Sequence, residues 1–181
     1  MTFFIMNDQR VYWLTGLSGS GKSTIAEAFR NQVMSQGKSV SILDGDTIRA
    51  KLHRHLDFSV EAIKENNRRI AQLCCEEMSE FDYVVVAVIS PFRESRLVSR
   101  EIIGNAYCEV YVRASLDAVK KRDPKGLYKI AFAGEIPNYI GIAPEVPYEP
   151  PLTPDITLDT ESMSVGECVG VLVSHSQDAV I

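Results

Sequence analysis

The stretch Gly16-Leu17-Ser18-Gly19-Ser20-Gly21-Lys22-Ser23-Thr24 constrains this chain more than any other. It satisfies the phosphate-binding P-loop pattern G-x-x-x-x-G-K-S/T at every fixed position. Glycines let the backbone turn tightly and aim its N–H groups inward. A helix starting there adds unpaired N–H groups and the positive end of its dipole. Lys22 would reach the β- and γ-phosphates of a nucleotide, and the Ser23 hydroxyl would ligate Mg2+. The context agrees: Val11 to Thr15 is a β-type run before the loop, and Ile25 to Val33 reads as a helix after it.

The same alternation continues down the chain. The first helix is expected over Ser23 to Gln36, ended by Gly37. Ser39 to Leu43 is a second strand, running into Asp44-Gly45-Asp46. Thr47 to His55 reads as a short helix, and Ser59 as the N-cap of a long one reaching about Ser79. Tyr83 to Ile89 is continuously apolar, as suits a parallel strand covered on both faces. Glu94 to Ile103 is a helix stopped by Gly104, and Glu109 to Val112 a fourth strand. Ser115 to Arg122 is a helix halted at Asp123-Pro124. Ile156 to Leu158 and Ser164 to Ser174 are the last strand and helix, and Met1 to Gln9 reads as an irregular arm.

The expected fold is therefore α/β: a doubly wound parallel sheet of about five strands flanked by helices. With 181 residues and no internal repeat or linker, one domain should span the whole chain. Ligands should sit at the carboxyl ends of the strands. Lys125 to Pro151 breaks the alternation with five prolines and three tyrosines, and reads as a lid rather than a linker.

Bulk properties narrow the function. The net charge is −5 with no long basic run, which speaks against a protein that coats nucleic acid. No apolar run approaches the ~18 residues of a membrane span. Cys74 and Cys75 are adjacent while Cys108 and Cys168 are far apart, a pattern of reduced structural thiols in a cytoplasmic protein.

Several residues follow strands and could carry chemistry. Asp44 and Asp46 suit phosphoryl transfer, one holding Mg2+ and the other accepting the proton of an attacking hydroxyl. Their competing reading is a strand-ending turn. Arg49, one helical turn beyond Asp46, could grip a phosphate or sulfate. Phe58 could stack on a base or belong to the core. Arg68 and Arg69 read as solvated or ion-paired, with one of them able to face the pocket. His53 and His55 read as surface imidazoles. Ser90-Pro91-Phe92-Arg93 follows the buried strand, so Ser90 and its backbone would line an acceptor pocket. Arg93 and Arg96 read either as phosphate ligands or as helix surface. Lys121, Arg122, Lys125 and Lys129 form a basic cluster at the lid, either facing a polyphosphate or solvated.

Taken together, these residues resemble the adenylylsulfate kinases (APS kinases) over nearly the full length. The matching runs are Trp13 to Thr24, Asp44-Gly45-Asp46, Phe58-Ser59, Arg68-Arg69-Ile70, Ile89 to Arg93, and Arg122 to Lys129. Gly134-Glu135-Ile136, Gly141-Ile142, Tyr148-Glu149 and Leu158-Asp159-Thr160 complete the match. The run Arg122 to Lys129 is far more specific than the P-loop, which many NTPases share. The resemblance implies a P-loop NTPase-type kinase fold with a lid over about residues 122–151. It implies transfer of the γ-phosphoryl of ATP to the ribose 3′-hydroxyl of adenylyl sulfate, with Mg2+, by a homodimer. By matched position it assigns ATP to Gly16, Ser18, Gly19, Ser20, Gly21, Lys22, Ser23, Thr24, Arg122, Lys125 and Thr160, and the metal to Ser23 and Asp44. It assigns the acceptor to Asp46, Arg49, Phe58, Asn66, Arg69, Ile89, Ser90, Pro91, Lys125, Leu127 and Tyr139. Lys22, Asp44, Asp46 and Ser90 become the catalytic set, with Ser90 where the family can carry a phosphoserine.

Departures gather on the acceptor side. Thr47 replaces the Asn of the usual D-G-D-N, and the segment from Leu52 to Ser59 loses the Asn, Asp and Gly of L-N-x-D-L-G-F-S. Ala62-Ile63 replaces an acidic-basic pair, and Ile130, Phe132, Pro137, Tyr139 and Ile140 interrupt the usual lid pattern. These departures leave open a second reading, the same chemistry on another nucleotide such as a cytidine diphosphate derivative (for example cytidine diphosphoramidate). A third, a non-catalytic nucleotide-binding regulator, is opposed by intact Lys22, Ser23, Asp44 and Asp46.

Overall fold

The computed structural model describes residues 10–51, 57–124 and 126–178 of the chain. The expected arm at Met1 to Gln9 lies outside them, as do Lys125, His53 and His55. Among the described residues, five strands form one sheet: β1 (Arg10–Thr15), β2 (Val40–Asp44), β3 (Tyr83–Ala87), β4 (Tyr107–Arg113) and β5 (Ile156–Asp159). Their order is β2-β3-β1-β4-β5, and every pairing is parallel. The expected parallel α/β sheet is therefore present.

Side chains on β1 alternate between the two faces, as the strand repeat requires. Tyr12 and Leu14 pack with Ile25, Phe29 and Val33 of α1 (Lys22–Met34) and Leu172 of α7 (Val165–Asp178). Val11 and Trp13 pack on the opposite face with Ile70 and Cys74 of α3 (Val60–Glu77) and Ile103 of α4 (Arg93–Ile103). β3 is buried along its whole length, which explains its unbroken apolar run. Capping signals were legible: Ala62 N donates to Ser59 Oγ at 3.3 Å, and Ala118 N to Ser115 Oγ at 3.2 Å, where α5 (Leu116–Arg122) begins.

Element bounds shift from expectation in several places. The short helix α2 starts earlier, at Gly45–Lys51, and β4 begins two residues sooner at Tyr107. β3 stops at Ala87, and α7 runs on to Asp178. The largest correction lies in the lid, which contains a helix, α6 (Leu127–Phe132). Asp123, read from sequence only as a helix stop, starts this one. Its carboxylate accepts from Tyr128 N at 3.2 Å and Lys129 N at 3.3 Å. Among the described residues, no helix is long and apolar enough to cross a membrane.

At the sheet edge, Asp82 ties the start of β2 to the start of β3. Its Oδ2 accepts from Ser39 N at 2.7 Å and Ser39 Oγ at 2.9 Å, while Asp82 N donates back to Ser39 Oγ at 3.0 Å. The backbone bond from Ser39 leads in holding this carboxyl below its ordinary value of 3.8. Its stabilisation is therefore present above pH 3.8 and fades as the pH falls through the lowered value. Asp82→Ala should cost about 1 kcal/mol at neutral pH, the side chain being a third exposed. The gap between variant and parent in urea midpoint should close below the ordinary carboxylate range; a gap unchanged at acid pH would contradict this role.

Candidate active site

The P-loop joins β1 to α1, so it lies at the carboxyl edge of the central strand. Gly16 is required by a close approach: a Cβ there would sit 2.4 Å from the Val112 carbonyl oxygen of β4. Gly21 caps α1 at φ +104°, in the left-handed region that favours glycine. No side-chain hydrogen bond caps α1 there, so its first N–H groups are placed to meet an anion. Lys22 folds back beneath the loop and is only 7% exposed. Its Nζ donates to Gly16 O at 2.8 Å and Leu17 O at 2.7 Å. The ammonium thus sits at the centre of the turn.

β2 delivers the carboxylates. Asp44, its last residue, pairs across the sheet with Ala87. Asp44 Oδ2 accepts the Ser23 hydroxyl at 2.7 Å, joining the P-loop to β2. Its Oδ1 accepts from Asp46 N at 3.1 Å and Thr47 N at 3.3 Å, which shapes the first turn of α2. Asp46 itself is exposed and lines the same cleft as the P-loop. That cleft, of about 530 Å3, runs from residues 18–25 past Asp44–Asp46 to residues 87–89. Arg122, Leu127, Tyr128, Thr160 and Met163 also line it. Among the described residues, no group of three or more His, Cys, Asp or Glu side chains converges on one point. A hydroxyl and a carboxylate oxygen side by side do fit Mg2+, which takes few protein ligands and completes its shell with phosphate and water.

The sequence-predicted acceptor residues fall into two groups. Arg49 Nη1 donates to Asp57 O at 2.8 Å, and its guanidinium lies 4.4 Å over the Phe58 ring. Burial lowers the Arg49 pKa, against the opposing pull of Asp46 and Asp57. Phe58 is 48% exposed, so its ring is not core. On α3, Asn66 is buried, while Arg69 and Arg68 bind Glu65 at 2.6 and 2.7 Å. The two arginines hold the Glu65 carboxyl down at about 2.

The second group surrounds Ser90, which follows β3 by three residues and is 2% exposed. Asn67 Nδ2 donates to Ser90 Oγ at 2.8 Å. Thr15, the residue before the P-loop, donates to Ile89 O at 2.7 Å and Ser90 O at 3.2 Å. Neither Asn67 nor Thr15 stood out in the sequence; a pair of asparagines inside a helix was the available sign. Arg96 is a correction: it is neither helix surface nor open to a phosphate. It is 2% exposed and paired with Glu109 at 2.8 Å. Arg93 donates from Nε to Pro150 O at 2.8 Å.

The segment read as a lid is pinned at several points. Tyr128 OH donates to Ser18 O of the P-loop at 2.9 Å, and Tyr139 packs edge-on against Tyr128 at 5.3 Å. Tyr139 thus belongs to an apolar cluster with Val119, Leu17 and Ile142. Farther on, Ile140 and Val146 pack against Ile63 and Phe92. Arg122 grips Thr160 through its hydroxyl at 2.9 Å and its carbonyl at 2.6 Å. The expected basic cluster is dispersed: Arg122 lines the cleft, Lys121 and Lys129 are exposed outside its lining, and Lys125 lies outside the described residues.

Comparison with known proteins agrees with this geometry. The adenylylsulphate kinase family profile matches residues 8–159. The chain is 46% identical over 171 residues to the adenylyl-sulfate kinase of Bacillus velezensis, covering 94% of this chain and 86% of that protein. It is also 46% identical over 164 residues to the probable adenylyl-sulfate kinase of Bacillus subtilis, covering 90% and 82%. Among solved structures it is similar to the APS kinase of Mycobacterium tuberculosis in complex with AMPPNP and APS. That match has a TM-score of 0.86 and 35% identity, covering 92% of this chain and 96% of that one.

Proposed function

The chain belongs to the adenylylsulphate kinase family, and we propose on that premise how its residues divide the reaction. The chain is an ATP-dependent kinase that phosphorylates the ribose 3′-hydroxyl of adenylyl sulfate. One observation supports the reading most. The P-loop, Asp44 and Asp46 open onto one cleft whose wall continues to Ile89, so donor and acceptor seats adjoin.

The 3′-oxygen attacks the γ-phosphorus, and the bond from that phosphorus to the β,γ-bridging oxygen breaks, releasing ADP. The proton of the hydroxyl passes to Asp46, the exposed carboxylate of the cleft. Backbone N–H groups of residues 18–22 and the start of α1 cradle the phosphates. Lys22 offsets charge on the transferring group. Ser23 and Asp44 would hold Mg2+, which neutralises phosphate charge when bound. Arg49 and Phe58 seat the acceptor, Phe58 by stacking on its base. Arg122 and Thr160 close the donor side, with Thr24 in the first turn of α1. We also assign the chain as one kinase unit, by its length, in the cytoplasm, by its cysteine pattern, and acting as a homodimer, as the resemblance implies.

A coupled assay offering adenylyl sulfate and a panel of nucleoside diphosphate derivatives tests the acceptor. Turnover of adenylyl sulfate is expected. Its absence at millimolar concentration, with a cytidine derivative phosphorylated instead, would reject this assignment. Phe58→Ala should raise the KM for adenylyl sulfate roughly tenfold or more, since base stacking is worth ~1–3 kcal/mol. The KM for ATP should stay within about twofold, because Phe58 does not line the P-loop cleft.

A further inference from the structure

Ser90 holds an unusual backbone. Its φ is +46°, in the left-handed region that a residue with a Cβ rarely adopts. Such a conformation persists only where its surroundings over-determine it. Here three groups do so. Asn67 binds the hydroxyl at 2.8 Å, Thr15 Oγ1 the carbonyl at 3.2 Å, and Arg96 Nη1 the same carbonyl at 2.6 Å.

Arg96 does more than hold this loop. Its Nη2 donates to Glu149 O at 2.7 Å, on the chain returning from the lid, and its Nε donates to Glu109 Oε1 of β4 at 2.8 Å. Glu149 is fastened to the same loop: its N donates to Pro91 O at 2.9 Å. Next to it, Tyr148 OH lies 3.1 Å from Thr15 Oγ1, directly before the P-loop. One planar guanidinium therefore spans the β3–α4 loop, the lid return and the sheet. A lysine could not replace it, because an ammonium on a flexible stem lacks the fork that meets three oxygens in fixed directions. A buried ion pair is weak support for stability compared with apolar packing, which leaves geometry as its contribution.

We propose that the Arg96–Glu109 pair is a positioning device for the acceptor. It fixes Ser90 in its left-handed conformation and couples that loop to the lid return. This rests on the reading that residues 89–91 line the acceptor seat.

The test is steady-state kinetics on the full chain with both substrates varied, beside thermal unfolding. Arg96→Lys should lower kcat roughly 10- to 100-fold, as small misplacements of reacting groups do. It should raise the KM for adenylyl sulfate several-fold and leave the KM for ATP within about twofold, since Arg96 does not line the P-loop cleft. Glycine adopts a positive φ freely, so the added defect from Arg96→Lys should shrink in a Ser90→Gly background. A lowered Tm with unchanged kcat and both KM values would overturn the proposal, as would strict additivity with Ser90→Gly. Should Arg96→Lys not fold, Glu109→Gln decides: it keeps the shape and removes the charge, and wild-type kinetics there count against the proposal. Phe58→Ala in the same titration separates the two failures. If it raises the acceptor KM while Arg96→Lys does not, the proposal alone falls; if neither moves it, the assigned seat is wrong.

Discussion

Lys22→Ala should lower kcat/KM for phosphoryl transfer on the order of a thousandfold while the protein remains folded. The side chain is nearly buried and bonds to the loop that carries it, at Gly16 O and Leu17 O. Its removal leaves two carbonyls short of a donor, a local loss that water at the open cleft can offset. The catalytic loss cannot be offset that way, because a fixed cation beside the transferring phosphoryl group is worth more in a closed site than a water. Lys22→Arg should recover little, since a planar guanidinium does not take the place of a compact ammonium that is nearly buried against two loop carbonyls. The measurement is single-turnover transfer, with circular dichroism as the check on folding. A Lys22→Ala enzyme within tenfold of the parent would remove the Lys22 charge from the mechanism.

The P-loop was legible because its chemistry is local: glycines, lysine and hydroxyl all lie within one turn and the helix start that follows. Asp44 and Asp46 were legible for a related reason, standing where a strand of recognisable pattern ends. The polar network behind Ser90 was not. Thr15, Asn67, Arg96, Glu109 and Glu149 meet only because β1 pairs with β4 and the lid return crosses the loop after β3. Each alone is an ordinary residue in a helix, strand or loop. The family departures teach the same point. Ile63 and Ile140 read separately as departures from the family pattern, yet in the fold they belong to one apolar cluster with Phe92 and Val146. That cluster joins the segment read as a lid to α3 and the loop after β3. Phe132 is a simpler case: it lies at the surface with Lys120 Nζ 4.3 Å over its ring.

Asp46→Asn should lower kcat by about a hundredfold to ten-thousandfold, the range for loss of a positioned general base. The amide keeps the size of the carboxylate and the first turn of α2, whose geometry depends on the Asp44 side chain and the Asp46 N–H. The KM for ATP should therefore hardly move. Asp44→Asn should behave differently. Asp44 binds the Ser23 hydroxyl and two backbone N–H groups, so the change disturbs the assigned metal seat and the turn together. It should raise the Mg2+ concentration needed for half-maximal rate, whereas Asp46→Asn should leave that concentration unchanged. A rate profile across Mg2+ for both variants separates proton acceptor from metal ligand. If Asp46→Asn shifted the Mg2+ requirement and Asp44→Asn lowered only kcat, the two roles would be exchanged. If Asp46→Asn kept kcat within a few-fold, the attacking hydroxyl would not need this carboxylate, consistent with a loose transition state in which little proton transfer precedes bond making.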